Sequence, residues 1–198
     1  MHNETAKETL DQIFLKARSF NAWTDAPVER DKLAELYELM KFCPTSSNTN
    51  PLRIVFVSGQ EGRERLARSM LGRNADKVLA APVTAILGYD TRFFERLDVL
   101  FPHDPTRSKM FTDSPALSEE TAFRNSSMQA GYFIVAARAV GLDCGPMSGF
   151  RRDSVDRDFF PGGRVKTNLV CALGRGDPHR DMWGRLPRPA FDEVCSFA

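Results

Sequence analysis

The chain has 198 residues, 42% of them hydrophobic and 27% charged, with a formal net charge of +1. This is an ordinary soluble globular composition, and so small a net charge gives no field that would favour nucleic acid or an anionic membrane. A chain of this length buries roughly 70% of the surface its unfolded form exposes, so it needs no metal or disulfide to keep a core, and one domain over residues 1–198 is expected.

Leu10, Ile13, Phe14 and Ala17 fall at helical spacing and predict an N-terminal helix that ends near Arg18 and Ser19. The segment up to Phe20 is amphipathic rather than an apolar run after a basic start. No stretch reaches the ~18 apolar residues of a membrane span, so the cytoplasm is the expected compartment. Leu33, Leu36, Tyr37 and Met40 repeat the helical spacing after Asp31, a candidate N-cap, and Pro44 stops this second helix. Residues 52–58 are rich in β-branched residues and bounded by Pro51 and Gly59, and read as a strand; residues 83–89 read likewise. Between them, 61–77 has helical spacing interrupted by Gly72-Arg73-Asn74.

Residues 90–115 have a different texture, with Phe93, Phe94, Leu97, Leu100, Phe101 and Phe111 set among Pro102, Pro105 and Pro115. Such an excursion from a strand is either a substrate lid or a satellite cluster packed on the core or on a partner subunit. The longest predicted helix runs from Glu119 to Val140 and is closed by Gly141. A turn over 145–150, a short helix over 153–159 and an apolar strand over 168–173 complete the chain. Strands alternating with helices predict an α/β or α+β three-layer domain.

Chemistry-bearing patterns are mostly absent. There is no G-x-G-x-x-G, P-loop or G-x-S-x-G, which argues against a Rossmann dinucleotide fold, a P-loop NTPase and an α/β-hydrolase. His2, His103 and His179 are too scattered for a metal cluster or a Ser-His-Asp triad, and Cys43, Cys144, Cys171 and Cys195 form no C-x-x-C pair, so no metal site is indicated. What stands out is the run from Cys43 to Pro51, where hydroxyls, amides and accessible backbone N–H groups sit between a helix and a strand. It has the donors for a phosphate and a polar heterocycle, although Ser/Thr/Asn/Pro clusters are also ordinary loops and caps. A chain without evident catalytic side chains can borrow a cofactor.

Five segments together resemble the flavin-dependent nitroreductase family: Arg18-Ser19-Phe20-Asn21, Pro44-Thr45-Ser46-Ser47-Asn48, Asn74-Ala75-Asp76-Lys77, residues 145–150 (Gly-Pro-Met-Ser-Gly-Phe) and Arg185-Leu186-Pro187. The resemblance implies an α+β nitroreductase-like fold, with a central, mainly antiparallel sheet flanked by helices, and an intertwined homodimer sharing FMN. Residues 119–130 and 141–150, with Phe101-Pro102-His103 and Arg185 to Arg188, are similar to the malonic semialdehyde reductase branch, which forms 3-hydroxypropionate in pyrimidine breakdown.

Carried over, the resemblance places Arg18, Ser19 and Arg185 on the FMN phosphate, Asn21 and Asn74 on ribityl or ring oxygens, and Lys77 at the N1/O2 edge. It places Pro44, Thr45, Ser46 and Asn48 in the other subunit's half of the site, and Pro146, Met147, Ser148 and Gly149 over the ring near N5. It implies ping-pong hydride transfer from NADH or NADPH through N5 to a small aldehyde acceptor, with Arg124, Arg107 and Arg53 as candidate cations for the acceptor's carboxylate. Trp183 stands where many relatives carry a second basic residue, and Asn21 replaces a frequent Lys or Arg. A broad nitroarene or quinone reductase, a non-catalytic flavin-binding protein and a cofactor-free interaction domain are the alternatives.

Overall fold

The computed structural model describes residues 2–198. In chain order it contains α1 (His2–Leu10), continued by a π-helical turn over Asp11–Leu15; α2 (Arg30–Met40); a 3-10 turn over Ser46–Asn48; β1 (Leu52–Val57); α3 (Gln60–Ala67); α4 (Asn74–Ala80); and β2 (Val83–Asp90). A 3-10 turn over Phe93–Arg96 leads to α5 (Leu97–Leu100), α6 (Arg107–Thr112), α7 (Pro115–Ala139), β3 (Asp143–Met147), α8 (Arg152–Phe159), β4 (Val165–Gly174) and α9 (Phe191–Val194).

The four strands form one antiparallel sheet in the order β1-β2-β4-β3. Alternation along the central strands sends side chains to opposite faces. Ile86, Val170 and Ala172 face a layer containing Leu66, Val78 and Val155 from α3, α4 and α8. Ala85, Leu87, Cys171 and Leu173 face Leu36 and Met40 of α2 and Ala130, Phe133 and Ala137 of α7. The expected three-layer architecture is therefore the observed one, with the sheet between two helical layers.

Several boundaries differ from expectation for local reasons. Asp31 is not the cap of α2; Glu29 holds the extended N-cap position, and Asp31 lies in the first turn, where its charge complements the helix dipole. Residues 60–80 form two helices because Gly72 adopts φ +54 between them. Helix α7 begins earlier than expected, at Pro115, whose fixed φ suits a first helical position. It ends as expected at Gly141, with φ +82, in a Schellman closure: Gly141 N–H donates to Arg138 O at 3.0 Å and Leu142 N–H to Ala137 O at 2.8 Å. The expected turn over 145–150 is half strand, since β3 runs through Pro146 to Met147. Proline is tolerated there because β3 is an edge strand.

Residues 90–115 pack as a satellite cluster. Phe93, Leu97 and Phe111 are buried against Tyr89 and Ala122, with Phe93 and Phe111 in edge contact at 4.9 Å. Beneath them Asp90, 2% exposed, accepts hydrogen bonds from Arg53 Nη2 at 2.7 Å and from Arg164 Nε and Nη2 at 2.8 and 2.9 Å.

The chain exposes 12073 Å², whereas a compact monomer of 22.2 kDa exposes about 9,400 Å². Much of the excess is apolar. Phe14, Phe42, Phe123 and Tyr132 are exposed, as are Leu186, Phe191, Val194 and Phe197 beyond the last strand. Among the described residues, no helix is long and apolar enough to cross a membrane, and no group of His, Cys, Asp and Glu could hold a metal ion.

Candidate functional site

Three of the five sequence segments meet at the β3 side of the sheet. The turn 18–21 lies along the outer edge of β3, where Ser19 forms a parallel bridge with Cys144 and Phe20 N–H donates to Cys144 O at 2.9 Å. Gly145 permits this close approach, because a Cβ there would meet Phe20 O at 2.6 Å. At the far end of β3, Gly149 O accepts from Asn74 Nδ2 at 3.0 Å and from Leu71 N–H at 2.9 Å. A Cβ on Gly149 would sit 2.7 Å from Asn74 Nδ2, so any larger residue there would push the Asn74 amide out of its present position. One turn along α4, Lys77 joins Asn21, Arg73 and Asp181 in lining a recess of about 170 Å³.

The C-terminal segment closes this arrangement. Arg185 Nη2 donates to Leu15 O at 2.6 Å and Ala17 O at 3.0 Å, while Arg18 Nη2 donates to Trp183 O at 2.5 Å. The two arginines thus reach across each other's backbone. Trp183 contributes its carbonyl, its ring being 69% exposed. Asn21 Nδ2 donates to Asp181 O at 3.0 Å, tying the same segment to the recess. Among the described residues, Arg18, Lys77 and Arg185 have no carboxylate at ion-pair distance. Burial, and then the Arg73 charge, hold the Lys77 ammonium below its ordinary pKa, with Asp181 pulling the other way.

The donor chemistry fits a phosphorylated heterocycle. Two forked guanidiniums and the exposed Ser19 suit a phosphate, and an amide and a half-buried ammonium suit the polar edge of a ring. A lysine that lacks a counterion and is partly desolvated favours a ligand that brings negative charge.

The segment 44–48 is elsewhere. It lies by β1, the opposite sheet edge, so three inter-strand spacings, about 14 Å, separate it from β3 before any offset along the strands. Ser46 N–H donates to Asn125 Oδ1 at 2.8 Å, and Asn48 Nδ2 donates to Leu100 O at 2.8 Å. Leu52 N–H donates to Gln129 Oε1 at 3.0 Å. Asn125 and Gln129, one turn apart on α7 and both buried, therefore set this loop's shape; two amides at helical spacing on the buried face of α7 were the signal in the sequence. The loop is strained. Ser47, Asn48 and Asn50 have φ of 48, 50 and 41, a left-handed conformation that costs a residue with a Cβ and that Asn tolerates better than Ser.

The three candidate acceptor cations are all engaged. Arg53 is bound to Asp90 and donates to Asn50 O and Leu52 O. Arg107 pairs with Asp104 at 3.0 Å and lies over the Phe101 ring. Arg124 pairs with Glu120 one turn back on the surface of α7.

The structure thus defines an α+β protein with a sheet between two helical layers and a cationic, amide-lined cleft at one sheet edge. The Nitroreductase family profile matches residues 15–175, and the chain belongs to that family. It is 50% identical over 193 residues to a protein of Cupriavidus pinatubonensis provisionally named an NADH dehydrogenase/NAD(P)H nitroreductase, covering 96% of this chain and 98% of that one. Its fold matches a nitroreductase-family crystal structure from Bacillus subtilis with a TM-score of 0.85 at 18% identity, covering 98% of this chain and 100% of that one. It also matches one from Exiguobacterium sibiricum in complex with FMN, with a TM-score of 0.81 at 16% identity, covering 94% and 96% of the two chains.

Proposed function

We propose that this chain is a single-domain FMN-dependent NAD(P)H oxidoreductase that works as a homodimer. The observation that carries the reading is that residues 18–21, 74–77, 146–149 and Arg185 are tied together at the β3 edge of the sheet, with three cations that, among the described residues, have no carboxylate at ion-pair distance. Arg18, Arg185 and Ser19 hold the phosphate, and Asn21 and Asn74 hydrogen-bond the ribityl chain and ring. Lys77 faces the pyrimidine edge with its positive charge, which favours the electron-rich form of any bound ring. Pro146, Met147, Ser148 and Gly149 cover one ring face, and their backbone excludes water from it. When bound, FMN supplies a ring that accepts hydride from a reduced nicotinamide and returns it to an organic acceptor.

The homodimer reading accounts for two features a single chain leaves open. Pro44, Thr45, Ser46 and Asn48 are too far from β3 to serve the same cleft, yet they sit at the edge that a second copy can bring to it. The excess accessible surface and the open groove of about 870 Å³ between α2 and β1, lined by Leu33, Tyr37, Ile54 and Phe56, are the right kind of surface for an obligate partner.

For the acceptor, similarity to the semialdehyde-reducing branch supports malonic semialdehyde, giving 3-hydroxypropionate within pyrimidine breakdown. The engagement of Arg53 by the buried Asp90 favours a second reading, a nitroarene or quinone reductase without a dedicated carboxylate-binding cation. The test is anaerobic stopped-flow: FMN-loaded protein is bleached with NADPH or NADH, then mixed with malonic semialdehyde, nitrofurazone or menadione. Rapid reoxidation by the semialdehyde alone supports the first reading, and reoxidation only by the other two supports the second. Failure to bleach would refute both.

A further inference from the structure

Arginines flank the outer side of the Gly149 turn. Met70 and Phe150 form an isolated backbone bridge, and Arg151 N–H donates to Ser69 O at 2.8 Å, so the end of α3 and the start of α8 meet beside that turn. The Arg151 guanidinium donates to the Arg68 carbonyl. A neutral acceptor thus positions this guanidinium and leaves its charge uncompensated. Arg68 and Arg151 are both exposed, and among the described residues neither has an ion-pair partner. Arg73, which lines the recess, is 66% exposed and pairs with the half-exposed Asp181 at 3.0 Å. Its charge also acts on Lys77. A positive band therefore runs from Lys77 through Arg73 to Arg68 and Arg151, on a chain whose net charge is only +1.

We propose that Arg68 and Arg151, assisted by Arg73, hold the 2′-phosphate of the reduced dinucleotide, so that the protein takes NADPH in preference to NADH. The inference rests on the assignment of the flavin to the cleft at 18–21, 74–77 and 146–149. Position selects this ligand over a small acceptor acid. The carboxylate of a three-carbon acceptor must stay close to the reacting carbon, which lies over the ring and inside the Gly149 turn. Arg68 and Arg151 meet just beyond that turn, past Phe150, where an extended donor can carry its adenosine end. A phosphate dianion with three acceptor oxygens also uses two forked guanidiniums better than a carboxylate does. Opening the exposed Arg73–Asp181 pair to admit it costs little.

The test uses FMN-loaded protein in three forms: the native sequence, the double variant Arg68→Ala/Arg151→Ala, and Arg157→Ala as a control arginine on the same helix as Arg152. Calorimetric titration with 2′,5′-ADP and with 5′-ADP reads binding without turnover, and anaerobic bleaching by NADPH and NADH reads the donor itself. The native protein should bind 2′,5′-ADP roughly tenfold or more tightly than 5′-ADP, as expected for two charge-assisted hydrogen-bonding side chains. The double variant should lose that difference and Arg157→Ala should keep it; Arg151→Ala alone serves if the double variant does not fold. Equal affinity for the two nucleotides in the native protein, or a difference that survives the double variant, overturns the proposal. Failure of the native protein to take up FMN would instead bring down the flavin assignment, and this inference with it.

Discussion

Asp90→Asn should destabilise the protein by about 3 kcal/mol, because it removes the anion that two arginines share. Losing one partner of a buried ion pair costs about 3–5 kcal/mol, since the other charge stays behind without compensation. Here the side chains of Arg53 and Arg164 are 33% and 36% exposed, so water recovers part of that cost and the lower end applies. In a chain of this length each kcal/mol moves Tm by about 2–4 °C, which gives a drop of roughly 6–12 °C. Urea unfolding should show a lower midpoint with an unchanged slope, at one protein and FMN concentration, because both partner and ligand shift apparent stability. The pH dependence has a definite sign. Burial raises the Asp90 carboxyl, but the Arg164 hydrogen bond, the Arg92 N–H and the charges of Arg53 and Arg164 together hold it below its ordinary pKa. Its stabilisation is therefore present above the ordinary carboxylate pKa and is lost as pH falls through the lowered folded value, a limb the variant should lack. A loss below about 1 kcal/mol would refute a structural role for this cluster. So would an Arg53→Gln variant of native stability with a raised KM for an acidic acceptor, because Arg53 would then be a substrate cation after all.

Arg18→Ala and Arg185→Ala should each weaken FMN binding by roughly tenfold to a hundredfold, measured by fluorescence titration, as expected for the loss of a charged hydrogen-bonding group; wild-type affinity in both would remove the phosphate assignment. Gly149→Ala forces Asn74 Nδ2 away from a contact of 2.7 Å, so bleaching by NADPH should slow while far-UV circular dichroism stays native, and an unaltered rate would count against Asn74 as a ring contact. Gly88→Ala places a methyl 2.7 Å from Val165 Cγ1 and 2.9 Å from Phe160, which should cost about 1–3 kcal/mol in urea unfolding. Arg73→Ala takes away the cation beside Lys77, so the Lys77 pKa should rise towards its ordinary value, as read by NMR of labelled lysine side chains; no movement would mean that burial alone lowers it.

The parts of the fold that the sequence made legible are those where local chemistry and packing agree. Helix α2 carries Leu33, Leu36 and Met40 on one stripe and is stopped near Pro44, and Gly141 closes α7 because the closure needs a positive φ. Strand β3 was hidden by Pro146, which signals a turn in any strand except at an edge, and edges are set by sheet order rather than by local residues. Individual site segments were recognisable by residue type, but their grouping came only from the family resemblance and not from any local pattern. That Arg18 meets Trp183 and Asn74 meets Gly149, while Ser46 goes to Asn125 at the opposite edge, depends on long-range pairing that no local window contains. The pairing of the candidate acceptor cations was hidden for a related reason: the sequence gives an arginine's charge, while its partner, such as Asp90 for Arg53, is chosen by the fold.

The crossing of Arg18 and Arg185 makes the proposed phosphate clamp depend on the length of the chain. Its two halves come from opposite ends of the chain, since Arg185 grips the carbonyls of Leu15 and Ala17 from 170 and 168 residues away. A polypeptide that reaches residue 174 holds all four strands, yet it has only half of the proposed clamp without Arg185. A product that stops short of that residue, or is trimmed past it by a carboxypeptidase, would keep the sheet and its two helical layers but not the clamp. Uptake of the yellow cofactor would then mark chains that had been made, and kept, through residue 185.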